Sequence, residues 1–273
     1  MVDSSMSRTV LVHAHMFKNA GSTFDWSLQR CFGDAFVDHR DDDAMRAGAA
    51  YLGPYLLDRP RLRALSSHWI TFPLPQIGAI DIRLAMFFRH PLERIRSVYT
   101  FERQQQGVNN PGTEQARKLG FVDYVRWRLQ PGVGPVIRNF HTRYCSDRYT
   151  GKDIEEMYDS AIATIESTPL LGLVHRYDES MVLFEYHLQN VFPDIDLSWK
   201  LQNSSTGDQV SSNEKYSTAE CDLEPVMEQV VAANSYDLRL YTAVESRFEQ
   251  ALGSVPDVEL RLQDLRSRSE LLR

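Results

Sequence analysis

The sequence predicts an α/β protein in which helices flank a central parallel sheet and the C-terminal half is helical. Short runs rich in β-branched and aromatic residues alternate with segments of helical periodicity, which is the pattern of a parallel sheet. The first of these runs leads into a Gly-containing loop and then into a helix. Hydrophobic residues make up 42% of the 273-residue chain and charged residues 25%, as in a globular domain large enough to bury a core.

Four runs have the composition of strands. The first ends at a polar loop, after which Phe24 and Leu28 recur at helical spacing. The third runs directly into Arg89 and Pro91, and proline suits the first turn of a helix. The predicted strands are 8–15, 68–72, 80–88 and 170–174.

Helical periodicity predicts that most of the remaining chain is helical. The predicted helices after the first are 91–102, 121–129, 151–167, 178–190 and 220–250, the last with a break near Asn234. Two segments, 104–120 and 200–215, are polar and rich in turn-forming residues, so we predict loops there.

We expect one domain over residues 1–255, followed by an amphipathic C-terminal helix over 256–273. The apolar stripe of this helix consists of Val258, Leu262, Leu265 and Leu272. A stripe of fewer than three heptads suits packing against its own domain, but it would also suit a partner, including a second copy of the chain.

Charge is distributed unevenly along the chain, whose net charge is −7. Residues 1–150 carry 20 Lys and Arg against 14 Asp and Glu, whereas residues 151–273 carry 10 against 23. Anion chemistry is therefore expected in the first half. A net negative chain whose basic residues are not interleaved with aromatic residues argues against nucleic-acid binding.

The spacing of the cysteines and the hydropathy of the chain indicate the cellular compartment of the protein. Cys31, Cys145 and Cys221 are an odd number at irregular spacings, which fits neither a disulfide framework nor a CxxC metal site. No stretch approaches the ~20 apolar residues of a membrane span. We therefore expect a soluble, cytoplasmic protein without a transmembrane segment.

A candidate anion site follows the first strand. The strand, the loop with Lys18 and Gly21, and the helix beginning near Ser22 and Thr23 form a P-loop-like unit. Backbone N–H groups and the helix dipole would hold an anion there. The order differs from the nucleotide-kinase motif GxxxxGK[ST], because Lys18 precedes the glycine.

A second candidate site follows the strand at 80–88. Arg89 lies at its carboxyl end, and Ser97 lies about two turns into the next helix. Ligands of open parallel sheets bind at this edge, so both sites would face one crevice. A ligand with two separated phosphate-like groups would fit.

The motifs in this order resemble those of the PAPS-dependent sulfotransferases, in particular the heparan and dermatan sulfate 2-O- and 6-O-sulfotransferases and their bacterial relatives. The family patterns H-I-P-K-T-G-G-T-[ST] and L-R-[DN]-P-x-E-R-x-x-S-x-Y are similar to residues 15–23 (HMFKNAGST) and 88–99 (FRHPLERIRSVY). Further similar stretches are 139–143 (NFHTR), 172–180 (GLVHRYDES) and 234–241 (NSYDLRLY). The sequence departs from these patterns at Phe17, Ala20, His90 and His175.

The resemblance implies that PAPS donates a sulfuryl group to an acceptor hydroxyl, which leaves PAP as the second product. It implies that Lys18 stabilises the bridging oxygen and that Arg89 and Ser97 bind the 3′-phosphate. The backbone N–H groups implied for the 5′-phosphosulfate belong to Asn19, Ala20, Gly21, Ser22 and Thr23. His68 precedes Arg89 by about 20 residues, where these enzymes carry their general base; no metal is expected.

The residues leave some alternatives open. A P-loop kinase and a non-catalytic nucleotide-binding interaction protein are the alternatives to a sulfotransferase. The acceptor is expected to be a carbohydrate, although a small alcohol or a lipid-linked sugar would also suit. Arg143 could contact an anion or take part in an ion pair, and the basic segment 104–120 could cover the acceptor.

Overall fold

Five parallel strands form one sheet in this computed structural model, which describes residues 8–151, 153–202 and 222–272. The order across the sheet is β2-β3-β1-β4-β5. The strands are β1 Arg8–Ala14, β2 Phe36–His39, β3 Ala64–Ser67, β4 Ile80–Phe88 and β5 Leu170–Leu173. This arrangement confirms the predicted α/β fold with a parallel sheet.

The first strand occupies the middle of the sheet, between β3 and β4. The chain leaves β1 for the edge strand β2, returns through β3, and then crosses β1 to reach β4 and β5. The strand order therefore changes direction at β1. In a parallel sheet this switch opens a crevice at the carboxyl ends of the strands, directly in front of the loop that follows β1.

Twelve helices lie around the sheet in the described ranges. In the first half they are α1 Gly21–Phe32, α2 Asp42–Met45, α3 Ala49–Leu57, α4 Pro91–Gln104, α5 Pro111–Lys118, α6 Phe121–Arg128 and α7 Phe140–Cys145. In the second half they are α8 Ile154–Glu166, α9 Tyr177–Leu188, α10 Met227–Ala233, α11 Ser235–Gly253 and α12 Val258–Glu270. The C-terminal half is mainly helical, as predicted.

Two hydrophobic cores hold these elements. The main core contains the central strands and the apolar faces of α1, α9 and α11, where Phe24, Phe87 and Phe184 are buried against one another. A smaller core lies beneath α4, α5 and α6, around Val98 and Tyr124. Helix α4 therefore begins beside the carboxyl end of β4 and buries its apolar face in the smaller core.

The predicted second strand is wrong. The structure places β3 at Ala64–Ser67, immediately before the predicted range 68–72. Ser67 pairs with Ala14, the last residue of β1, so the chain leaves the sheet at that point and turns at His68 and Trp69. The correction places His68 at the carboxyl edge of the sheet, beside the loop after β1.

The predicted loop at 104–120 is also only partly correct, because it contains α5. Asn110 and Thr113 form a capping box that starts this helix, with Pro111 in its first turn. The other unpredicted elements are β2, α2, α3 and α7. The predicted strands at 8–15, 80–88 and 170–174 and the predicted helices before residue 200 are confirmed with small differences at their ends. The predicted helix at 220–250 is confirmed from Met227 onward, with its break at Asn234; Glu224–Val226 form a 3-10 helix before it, and residues 220 and 221 lie outside the described residues.

The C-terminal helix packs on its own chain. Leu262 and Leu265 of α12 are buried in the main core, and Arg268 forms an ion pair with Glu185 of α9 at 2.9 Å. The apolar stripe thus faces α9. Within the described residues, no helix combines the length and the apolar character that crossing a bilayer would require.

Candidate functional site

The loop between β1 and α1 lies at the carboxyl edge of the sheet and has an unusual backbone. Lys18 and Ala20 both adopt the left-handed conformation, with φ of +64° and +62°. Ala20 is the N-cap of α1, and its methyl group has no atom that could accept from the first N–H groups of the helix. The Asn19 and Thr23 N–H groups donate to the Met16 and Ala20 carbonyls, at 3.3 and 3.1 Å. Of the five N–H groups predicted for the 5′-phosphosulfate, those of Ala20, Gly21 and Ser22 therefore remain the candidates to bind an anion at the positive end of the helix dipole.

Ala20 adopts a conformation that suits glycine better. We expect Ala20→Gly to stabilise the protein by about 0.5–1 kcal/mol, because relief of the left-handed conformation outweighs the added freedom of the unfolded chain. Thermal unfolding measures this as a rise in Tm of about 1–4 °C. The matched control Ala163→Gly, at an exposed position within α8, should lower the Tm instead. Equal decreases in Tm in the two variants would contradict the left-handed backbone conformation at Ala20.

Asn19 joins the loop to the end of β4. The Asn19 side chain is buried, and its Oδ1 accepts from the Arg89 backbone N–H at 2.7 Å and from His141 Nε2 at 3.0 Å. Its Nδ2 donates to the Phe17 carbonyl at 3.0 Å. The two sequence-predicted anion sites are therefore tied together through one amide side chain.

Lys18 and Arg89 lie close enough for their charges to interact. Burial and the positive charge of Arg89 lower the pKa of Lys18 to about 8. The Lys18 Nζ lies 4.6 Å from the centre of the Phe101 ring, which in turn packs edge-on against Phe17. A cation near the face of an aromatic ring is attracted to it, so Phe101 holds the ammonium group in this position.

His68 stands beside the loop on the β3 side. Its Nδ1 lies 2.9 Å from the main-chain oxygen of His15, and because a carbonyl only accepts, this nitrogen carries the proton. The other nitrogen, Nε2, then holds a lone pair when the ring is neutral. Burial, together with the neighbouring His15, lowers the pKa of His68. The ring is therefore neutral near pH 7 and can accept a proton at Nε2.

A buried carboxylate lies behind His68. Asp25 of α1 accepts from His13 Nδ1 and His15 Nδ1, each at 2.7 Å. The three residues have the donor types of a metal site. Their hydrogen bonds already engage both carboxylate oxygens, so the trio is explained without an ion.

The two residues predicted to bind the 3′-phosphate lie on different parts of the chain: Arg89 directly follows β4, and Ser97 belongs to α4. Ser97 lies half-buried on α4, about 9 Å along the helix axis from Pro91.

His90 and His175, two of the departures from the family patterns, are near neighbours in space. His90 packs edge-on against Tyr241, whose hydroxyl lies 3.1 Å from His175 Nδ1. Burial and the charge of His175 lower the pKa of His90 to about 4, so His90 is neutral at pH 7.

The motifs at 139–143 and 234–241 interlock. Asp237 accepts from the backbone N–H and the hydroxyl of Thr142, both at 2.8 Å, and its own N–H donates to Asn139 Oδ1 at 3.1 Å. Asn234 Oδ1 accepts from the Asn139 backbone. These residues hold α7 against α11. Arg143 is exposed, and its Nη1 lies 3.8 Å from Met157 Sδ.

The two polar segments are described unequally. In 104–120, Arg117 donates to the Gln105 carbonyl and Lys118 lies 3.8 Å from the Glu114 carboxylate, so these basic groups have partners in their own segment. The predicted loop at 200–215 lies mostly outside the described residues, as does Cys221. The last described residue before that gap is Gln202, whose N–H donates to Thr23 Oγ1 at 3.4 Å.

Sequence reasoning missed Asp25, Phe101 and the bracing role of the Asn19 side chain. Only Asp25 left a signal, because it is an acidic residue beside Phe24 on the face of α1 that is buried. A charged residue on a buried helix face must be paired, and its partners are histidines at the end of β1 and directly after it.

The fold and the site together define an α/β protein with a P-loop-like turn at the switch point of a parallel sheet. No family model matches the chain. A protein of Archaeoglobus fulgidus, described only as uncharacterized, is 31% identical over 207 residues, which cover 71% of this chain and 78% of that protein. The chain belongs to the same family as this archaeal protein.

Proposed function

We propose that the protein is a PAPS-dependent O-sulfotransferase. The observation that carries the proposal is the meeting of three groups at one sheet edge. The loop with Lys18 is tied through Asn19 to the backbone of Arg89, and His68 stands next to that loop with its Nε2 able to take a proton. A donor with two anionic groups and an acceptor hydroxyl together need this set of groups.

The reaction is an in-line displacement at sulfur. The acceptor oxygen forms a bond to sulfur while the bond from sulfur to the 5′-phosphate oxygen breaks, and the acceptor proton passes to His68 Nε2. Negative charge grows on the departing phosphate oxygen. Lys18 and the first N–H groups of α1 stabilise that charge, as in phosphoryl transfer, where positioning and electrostatics supply most of the catalysis.

Recognition of the 3′-phosphate separates this donor from ATP. Arg89 presents a guanidinium at the end of β4, and guanidinium groups bind phosphate through paired N–H donors. Ser97 contributes a hydroxyl farther along α4. The roles of Arg89 and Ser97 are inferred from the resemblance to the family's 3′-phosphate motif.

Ligand-dependent thermal unfolding tests the donor site. At equal concentrations above both Kd values, PAP should raise the Tm by about 3–12 °C more than adenosine 5′-phosphate, because a charge-assisted contact contributes about 1.5–3 kcal/mol. Arg89→Ala should remove the difference. Arg83→Ala, which removes a cation paired with Asp81 on the same strand, should retain it. Equal shifts by the two nucleotides would contradict the proposal.

The acceptor is proposed to be a carbohydrate hydroxyl, on the resemblance alone. Screening transfer of labelled sulfate from PAPS to pools of glycans and small alcohols would identify it. We also propose a cytoplasmic location, since Cys31 and Cys145 are free thiols, which suits a reducing compartment.

A further inference from the structure

Asp25 is a buried carboxylate that the reaction above does not use. It lies on the first turns of α1, and its side chain contacts two histidines, His13 of β1 and His15 directly after β1. Oδ1 accepts from His13 and Oδ2 accepts from His15, both at 2.7 Å. A carboxylate only accepts, so both imidazoles carry their proton on Nδ1.

This hydrogen bond sets the orientation of the His15 ring. The ring lies against Gly21, where an added Cβ would stand 2.2 Å from His15 Cδ2. Its other side packs on His68, with ring centres 4.0 Å apart. His15 thus fills the space between the first turn of α1 and His68, and it cannot rotate while Asp25 holds Nδ1.

His15 also holds His68 through its backbone. The His15 carbonyl accepts from His68 Nδ1 at 2.9 Å. The ring of His15 limits where the imidazole of His68 can lie, and the carbonyl of His15 determines which of its nitrogens is protonated. Any movement of His15 therefore changes both the direction and the tautomer of His68.

We propose that Asp25 is a positioning residue that, through His15, directs Nε2 of His68 at the acceptor hydroxyl and stabilises the imidazolium formed when His68 takes the proton. This role rests on the proposed function. Asp25 itself touches neither substrate nor donor. It has the role of the residue that orients the general base in arrangements of a nucleophile, a base and a third group.

The charges around His68 act in opposite directions. Arg40, after β2, and the imidazole of His15, directly after β1, disfavour a positive charge on His68, whereas the Asp25 carboxylate favours it. Burial would raise the pKa of the Asp25 carboxyl, but the two imidazoles outweigh it and keep Asp25 ionised. Among these groups, Asp25 thus supplies the negative charge that lowers the free-energy cost of protonating His68.

Asp25→Asn is the test. The amide offers one oxygen and one NH2, so one of the two imidazoles loses its acceptor on this side chain. His13 Nδ1 also has Ser66 Oγ at 3.0 Å, whereas His15 must change tautomer or move when the NH2 faces it. We expect kcat to fall by about 10- to 100-fold, as when an outer hydrogen-bond partner of a functional histidine is lost, with KM for PAPS within about twofold. The acid limb of the kcat/KM profile should move to lower pH, because loss of the negative charge lowers the pKa of His68 further.

The control is Ser27→Ala on the same helix. Ser27 is also buried, and its hydroxyl donates to the Ser198 carbonyl, away from the histidines. Loss of stability without a change in kcat or in the pH profile is expected for this variant. If Asp25→Asn behaves in the same way, the positioning role is overturned, while the proposed function stands.

Imidazole nitrogen NMR of the unaltered protein tests the geometry without activity and without a variant that must fold. The expected spectrum shows His15 and His68 as the Nδ1-protonated tautomer near neutral pH. Protonation of His68 at Nε2 instead would overturn the inference. If the protein transfers no sulfate but shows these tautomers, the proposed function fails and the arrangement around Asp25 remains.

Discussion

His68→Ala is expected to lower kcat for sulfate transfer by about 10²- to 10⁴-fold, the usual contribution of a general base. The acceptor hydroxyl then has no group to take its proton, whereas the groups assigned to the donor are untouched. Steady-state transfer rates give kcat, and thermal titration with PAP shows whether the donor site is intact. The variant should bind PAP within about twofold of the unaltered protein.

His187→Ala is the matched control for this substitution. His187 is also partly buried and burial also lowers its pKa, but it lies on α9, outside the residues assigned to the site. Its replacement should leave kcat unchanged. If the two variants lose activity equally, or if His68→Ala retains full turnover with a verified acceptor, His68 is not the base.

Lys18→Ala is expected to lower kcat by about 10²- to 10³-fold, the range seen when one preorganised donor to a developing negative charge is removed. The pH dependence gives a sharper test. The free protein has a Lys18 pKa of about 8, and only the protonated ammonium attracts the donor. The kcat/KM for PAPS should therefore fall as the pH rises above about 8.

Lys18→Arg separates charge from shape. A guanidinium stays protonated throughout this range, so the alkaline decline should disappear even if the remaining activity is low. Lys118→Ala, which removes an exposed lysine paired with Glu114, should change neither the rate nor the profile. An alkaline limb that persists unchanged in Lys18→Arg would show that another group titrates there.

Much of the fold follows from local patterns. The strands β1 and β4 contain continuous apolar runs, at 10–12 and 84–88, that are buried on both faces, and such runs are distinctive in a sequence. The short strand β3 is not, since ALSS has neither alternation nor β-branched residues. Its place is set by pairing with β1, which is a tertiary effect. The adjacent run 68–72 is richer in strand-forming residues and yet lies beyond the sheet edge.

The candidate site likewise contains residues that local motifs predict and residues that only tertiary contacts place there. Lys18 and Arg89 can be predicted because each follows a predicted strand, whereas His68 is predicted only by the resemblance, from its distance to Arg89. The groups that hold them could not be found so readily, because their partners are distant in sequence. Asn19 meets His141, 122 residues away, and no local periodicity encodes that contact.

The Asn19 side chain has a thermodynamic consequence for ligand capture. Fixing the backbone of a mobile residue costs about 1–2 kcal/mol. Here the Asn19 side chain fastens the loop carrying Lys18 to the end of β4 and to α7. A ligand spanning the two cationic groups would not have to order that loop itself, so more of its contact energy remains as affinity.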